Sequence, residues 1–260
     1  LYNEALGPSR VAGMDGDQPI ATDCPDAWVQ TAATSLEQTK NTMRLFPRMF
    51  TDDAKAEYQL AIGKEQIYAL GDERFLQALT SNPTPIEGAR TTATLLNETH
   101  HWRDNNNGIA MYEVLARNAA KSPDAIDAED LDVHGRLLQI SNAYQPGQDS
   151  VLERTRTNYE LSQARPDEIL LQGLMYDSLE AAPKAPLIDP DNPNVIEDVI
   201  VSVRGDSVWL NAKRLRKQVE DPRIPPSQSR RFWYNQIVSD EESWANAQKW
   251  DDLVRPESKL

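Results

Sequence analysis

From Asp26 to Ala182, oxygen-bearing residues stand ahead of apolar-periodic runs about every 20–25 residues, a spacing suited to one helix after another. Such a residue accepts a hydrogen bond from the free N–H groups of a first helical turn and so marks a helix start. Asp26 heads a run to Phe46, and Thr51-Asp52-Asp53 heads another to Leu70. Thr84-Pro85-Ile86-Glu87 combines a cap, a first-turn proline and a capping-box glutamate, which predicts a helix through Trp102. Asn106 or Asn107, Asp127, Ser150-Val151-Leu152-Glu153 and Pro166-Asp167-Glu168 open four more. The last is the most apolar, with Ile169, Leu170, Leu171, Leu174, Met175 and Leu179, and is expected at the centre. The predicted fold class is mainly α: an irregular helical bundle or short α-solenoid, with a small C-terminal β-hairpin plus helices.

The punctuation of the chain divides it further. Residues 1–26 hold Gly7, Pro8, Gly13, Gly16, Pro19 and Pro25 without periodicity and are expected as an irregular N-terminal arm, ahead of a helical body over 27–182. In APKAPLIDPDNPN, Pro183, Pro186, Pro190 and Pro193 interrupt both helix and inner strand, so 183–198 is expected as a proline-rich linker. Residues 199–260 are expected as a hairpin-and-helix module. There, period-two alternation around Gly205-Asp206 predicts a β-hairpin over Val199–Leu210, and helices follow over Asn211–Glu220 and Ser227–Val238. Trp244 and Trp250 anchor the amphipathic end.

With one cysteine, Cys24, the chain has no internal disulfide and no cysteine-built zinc site. No run approaches the ~20 apolar residues of a membrane span. A soluble protein is expected, in a reducing compartment or a virion; Ser258-Lys259-Leu260 matches a peroxisomal address in letters. The net charge of -14, from 27 basic and 41 acidic residues, repels polyanions at long range, which makes nucleic acid an unlikely partner.

His100 and His101, close behind Glu98, raise the possibility of a metal or a catalytic base. On a helix started by Thr84, Ile86, Ala89, Ala93, Leu96 and His100 form one stripe, and the adjacent imidazoles diverge by about 100°, so they are poor joint ligands. Glu98 and His101 have the i, i+3 spacing of a di-iron bundle pair, but a second copy is missing because His134 has Leu131 three residues before it. Neither MDGDQPIATDCPD nor DPDNPN carries the glycine and glutamate of a calcium loop. No Gly-x-Ser-x-Gly elbow or glycine-rich phosphate loop occurs, and Cys24 has no nearby histidine. No catalytic residue, metal ligand or cofactor is therefore assigned from sequence. Arg204-Gly205-Asp206 has the letters of an adhesion tripeptide and is explained by a turn.

Charge is the most uneven feature. From Arg204 to Arg231 eight basic residues face three acidic ones, a local +5 that leaves -19 for the remainder. Phe232, Trp233 and Tyr234 follow, and arginine beside aromatics is the composition of interface hot spots. Arg214, Arg216, Lys217, Arg230, Arg231, Trp233 and Tyr234 are the expected partner-binding set, directed at acidic protein surfaces that include other copies of the chain. NEALG followed by VAGMDGDQPIATDC resembles the opening of the tail-adaptor proteins of short-tailed bacteriophages, over residues 3–24. The resemblance implies a virion connector or adaptor. The expected function is a non-catalytic structural or interaction subunit of a larger assembly, with that adaptor and an enzyme with a carboxylate-built site in the helical body as alternatives.

Overall fold

The computed structural model describes residues 2–79, 86–122, 135–165 and 174–239. The Thr84-Pro85 start, the Asp127 helix, His134, residues 166–173 of the expected central helix, and the C-terminal Trp244, Trp250 and Ser258-Lys259-Leu260 lie outside them. The chain divides into two compact units, Leu1–Ser141 with Ser150–Leu152, and Asn142–Asp149 with Glu153–Leu260.

The first unit overturns the mainly α expectation, because it is built on a six-stranded mixed sheet. A short helix α1 (Tyr2–Leu6) precedes a two-stranded hairpin, β1 (Arg10–Asp15) and β2 (Gln18–Thr22). The sheet then comprises β3 (Trp28–Ala32), β4 (Ala61–Ile62), β5 (Gln66–Ala69), β6 (Arg74–Leu79), β7 (Ala93–Asn97) and β8 (Arg136–Ile140), in the order β4-β5-β6-β3-β7-β8. β6, β3, β7 and β8 run parallel, while β5 pairs antiparallel with β6 and with β4. Helices α2 (Leu36–Met43), α3 (Phe46–Met49) and α4 (Asp52–Glu57) follow β3, and α5 (Gly108–Ala119) links β7 to β8.

The helical reading failed where strands are buried on both faces. Parallel strands covered by helices read as continuous apolar and β-branched runs rather than as an alternation. Val29, Thr31 and Ala32 on β3, and Thr94, Leu95 and Leu96 on β7, are all buried. Thr91, Thr92 and Thr94 ahead of Leu95-Leu96 were the available signal for a strand. The Ile86–Ala93–Leu96 stripe was a coincidence of spacing. The start signals themselves are sound where they coincide with a helix: Thr51 Oγ1 accepts from Ala54 N at 3.1 Å, but α4 stops at Glu57 and strands occupy the rest of the run.

Register decides which side chains share a face. Val29 and Leu76 join Met43, Phe46, Phe50, Ala5 and Leu6 in one core, whereas Ala32, Leu79 and Leu96 join Trp102, Ile109, Met111 and Leu115 in another. Beneath the second core, α5 starts tightly against the preceding turn. Asn107 enters it in the left-handed region (φ 57°), and a Cβ on Gly108 would stand 2.5 Å from Trp102 Cα. At the amino end of the parallel strands, buried Glu4 takes two guanidinium groups, Arg10 at 2.6 Å and Arg136. Burial disfavours its charged form, yet Arg10 and Arg136 hold the carboxyl below its ordinary 4.5.

The second unit holds α6 from Glu153 onward (the helix spans Val151–Ala164), α7 (Asn194–Arg204), α8 (Ala212–Val219) and α9 (Pro226–Trp233). The expected Val199–Leu210 hairpin is instead the last turns of α7 and a compact connection. Ile196, Val199, Ile200 and Val203 follow helical period onto the unit's core, and Gly205 ends the helix at positive φ. Residues 183–193 are free of regular elements, with Asp189 Oδ1 accepting from Asn192 N at 2.9 Å.

Two outcomes follow from these contacts. Gly108→Ala should lower stability by about 1–3 kcal/mol in urea unfolding, through forced backbone displacement. Glu4→Gln should lower it by about 3–5 kcal/mol, by leaving Arg10 buried without its anion. A carboxylate whose folded pKa is depressed contributes fully above its unfolded pKa and loses that contribution as pH falls through the folded value. The gap between parent and Glu4→Gln should therefore be largest near neutral pH and close on acidification below the ordinary carboxylate value, read from urea midpoints across pH.

Candidate functional site at the carboxyl edge of the sheet

Chain order makes one edge of the sheet special. From β3 the chain moves to β6 on one side, then returns to place β7 on the other, so the connections diverge at the carboxyl ends of the strands beside β3. In open parallel sheets such a switch point leaves a crevice that accepts ligands. Converging there are Thr34-Ser35 after β3, Glu98 after β7 and Ser141 after β8. Ser35 caps α2, its hydroxyl accepting from Gln38 N at 3.4 Å.

Glu98 is the centre of this edge. Its backbone is left-handed (φ 57°, ψ 48°), a conformation that costs a residue with a Cβ about 1–3 kcal/mol and is held only by surrounding contacts. Those contacts are present: Glu98 N donates to Ile140 O at 2.8 Å, and His101 N donates to Glu98 O at 2.9 Å, closing a 3-10 turn over Thr99–His101. The Trp102 indole, fully buried, donates to Asn97 O at 3.0 Å, and Trp102 O accepts from Val151 N at 2.9 Å. The turn is thus pinned to β8, to β7 and to the first residue of α6.

The imidazoles stand differently from the sequence expectation. His100 is 2% exposed; its N–H donates to Ser141 Oγ at 3.0 Å, and its Nδ1 lies 2.8 Å from the same hydroxyl and 3.2 Å from Glu98 Oε2. Nδ1 can take a proton from the hydroxyl or give one to the carboxylate, not both. His100 therefore ties the acid at the end of β7 to the residue that follows β8. The His100 and His101 rings lie against each other, tilted by 40° with centroids 3.9 Å apart, instead of diverging, because they sit in a 3-10 turn rather than on an α-helix. Among the described residues, no group of three or more His, Cys, Asp or Glu is arranged to hold a metal ion. Magnesium bound with a phosphate substrate requires less, one or two carboxylates besides the phosphates.

The basic–aromatic set is dispersed in the second unit. Tyr234 is wholly buried, donates to Pro186 O at 2.7 Å and has its phenol pushed up to about 12, chiefly by burial. Trp233 packs on the same core. Arg230 binds Gln236 Oε1 at 2.8 Å and Ala185 O at 3.2 Å, and Arg231 binds Gln145 Oε1 at 3.2 Å. Arg216 pairs with Glu197 at 2.7 Å and Glu220 at 3.4 Å. Arg214 and Lys217 are exposed on α8.

The fold and this edge define an α/β protein with an acid at the carboxyl end of a central parallel strand. No family model matches the chain. The Gene 13 protein of Mycobacterium phage L5 is 35% identical over 266 residues, covering 95% of this chain and 42% of that protein. The Gene 13 protein of Mycobacterium phage D29 is 33% identical over the same shares. The chain spans less than half the length of these relatives. Among solved structures, the HK97 bacteriophage large terminase matches with a TM-score of 0.56 at 15% identity, over 91% of this chain and 42% of that one.

These findings correct three expectations. The all-α class falls to a fold shared with a large terminase. With it fall the non-catalytic structural or interaction subunit and its adaptor-type alternative, while the enzyme alternative loses its helical body to the sheet. Setting nucleic acid aside as a partner is also overturned by that likeness. Net charge was a poor guide, because salt confines the field of exposed charges to about 8–10 Å and local patches then decide. Among the described residues no helix is long and apolar enough to cross a membrane.

The sequence reading weighed Glu98 with His101 as half of a metal pair and set it aside, because it placed the residue in the last turn of a helix; the legible signal was an apolar, β-branched run ending in Asn97-Glu98. Ser141→Ala should lower stability by about 1–2 kcal/mol in urea unfolding, since it strips His100 N–H of its acceptor.

Proposed function

We propose that this chain is part of a phage large-terminase-type motor, in which the carboxyl edge of the sheet faces a nucleoside triphosphate whose hydrolysis drives DNA packaging. Glu98 is the residue assigned to the chemistry, positioning or deprotonating the attacking water. The observation that carries this is its strained, multiply pinned backbone at the switch point of a parallel sheet, on a fold shared with a large terminase. Nucleotide-hydrolysing α/β proteins hold Mg2+ and orient water with groups of this kind at strand ends. Glu98 fits as the acid, and Mg2+ would supply charge neutralisation for the phosphates when bound. His100 and Ser141 keep the carboxylate facing the crevice.

A triphosphate also needs a loop of backbone N–H groups around it. These 260 residues hold no glycine-rich phosphate loop, and the Gene 13 relatives are more than twice as long, so the proposal places that loop outside the residues given. Among the described residues β8 is an edge strand of the sheet, which leaves a place for one more strand beside it.

The test is ATP hydrolysis by the protein that carries this segment. Glu98→Gln should lower kcat by about 10²–10⁴-fold. KM should change far less, because the acid acts in the transition state more than in binding. A kcat within about threefold of the parent would sink the assignment.

A further inference from the structure

We infer that the Trp209 turn and the first turns of α8 form a contact surface for unpaired nucleic acid, with phosphates on Lys213, Arg214 and Lys217 and a base on the Trp209 ring. The inference rests on the terminase reading only for the presence of DNA. The surface itself comes from the second unit.

The turn is built to hold its tip outward. Ser207 N donates to Arg204 O at 3.0 Å, Val208 N to Asp206 O at 2.8 Å and Leu210 N to Ser207 O at 3.0 Å, and the Arg204 guanidinium closes on Leu210 O. Asn211 then caps α8, its side chain accepting from Arg214 N at 3.0 Å. On this firm connection Trp209 is 77% exposed and Val208 72%. A large ring presented to solvent by a well-bonded turn marks a contact site more than a packing defect.

The cations beside it are arranged against the helix's own interest. Ala212, Leu215 and Val219 face the core of the unit, so Lys213, Arg214 and Lys217 share the opposite face, within about 100° of arc. Lys213 and Arg214 occupy the first turn, where the helix dipole disfavours positive charge, and Lys217 repels both at i, i+4 and i, i+3. Among the described residues no carboxylate pairs with these three, whereas neighbouring Arg216 and Arg223 are both paired, with Glu197 and Asp221. An anion is the missing complement.

Which anion follows from the ring. Duplex DNA hides its base faces in the stack, so an exposed indole adds little there. A single strand, or a frayed duplex end, offers a base face for stacking and phosphates for the cations, the combination used by single-strand binders. Lys213 and Lys217 stand one turn apart, about 6 Å along the axis, which lets one flexible strand reach both.

The test is fluorescence anisotropy of a labelled oligothymidylate with the 260-residue chain across a potassium chloride series. Binding should weaken with salt. Lys213→Ala, Arg214→Ala and Lys217→Ala together should reduce the log–log salt slope by about 2, from three phosphates on a single strand. Trp209→Ala should weaken affinity about tenfold or more with the slope unchanged. The charge-keeping variant Lys213→Arg with Lys217→Arg should bind like the parent, and circular dichroism should show helix retained in all of them. No binding at the lowest salt, or a slope unchanged in the triple variant, overturns the inference. So does loss of self-association without loss of oligonucleotide binding, which would assign the surface to a protein contact. An unchanged slope with binding intact would place DNA elsewhere and leave the terminase reading standing, since that one is decided by Glu98→Gln hydrolysis.

Discussion

Parallel pairing of β3 with β6 on one side and β7 on the other is the constraint on which the first unit depends. A parallel sheet has both faces to bury, and each face here has its own core. Once β3 is central, the chain must leave it in one direction and return in the other, and the reversal opens a crevice at the strand ends. Glu98 stands at that end of the sheet by position and is kept there by contacts from β8 and the Trp102 turn. The site is a consequence of strand order before it is a matter of any one side chain.

The two ends of the sheet use charge for different purposes. At the amino end, Glu4 is buried between Arg10 and Arg136, and its carboxylate is worth keeping ionised because removing it would strand a guanidinium. At the carboxyl end, Glu98 is one-third exposed and shares His100 with a hydroxyl, so its contacts orient it without enclosing it. A closed ion pair contributes stability, and an open, oriented carboxylate can act on a ligand. The backbone cost at Glu98 is sustained by its hydrogen bonds to β8 and to the turn that follows.

The second unit separates cations in the same way. Arg216, Arg223, Arg230 and Arg231 have partners within their own unit, whereas among the described residues Lys213, Arg214 and Lys217 pair with no carboxylate. Composition ranks all seven alike, and helical phase and packing divide them. Tyr234 and Trp233 show the same limit from the apolar side, because aromatic residues beside arginine can be a core as readily as an interface.

Sequence alone determined the local features: the cap at Thr51, the helix start at Asn211 and the absence of a disulfide staple. These depend on residues a few positions apart, and their chemistry is complete within that span. It did not determine whether an apolar run such as Thr91–Leu96 is strand or helix, because burial on both faces erases the alternation that would tell them apart. Nor could it bring Glu98, His100 and Ser141 together, since the last lies more than forty positions from the first two along the chain. Only the parallel pairing of β7 with β8 sets the ends of those strands side by side, and proximity, not composition, turns three ordinary residues into a site.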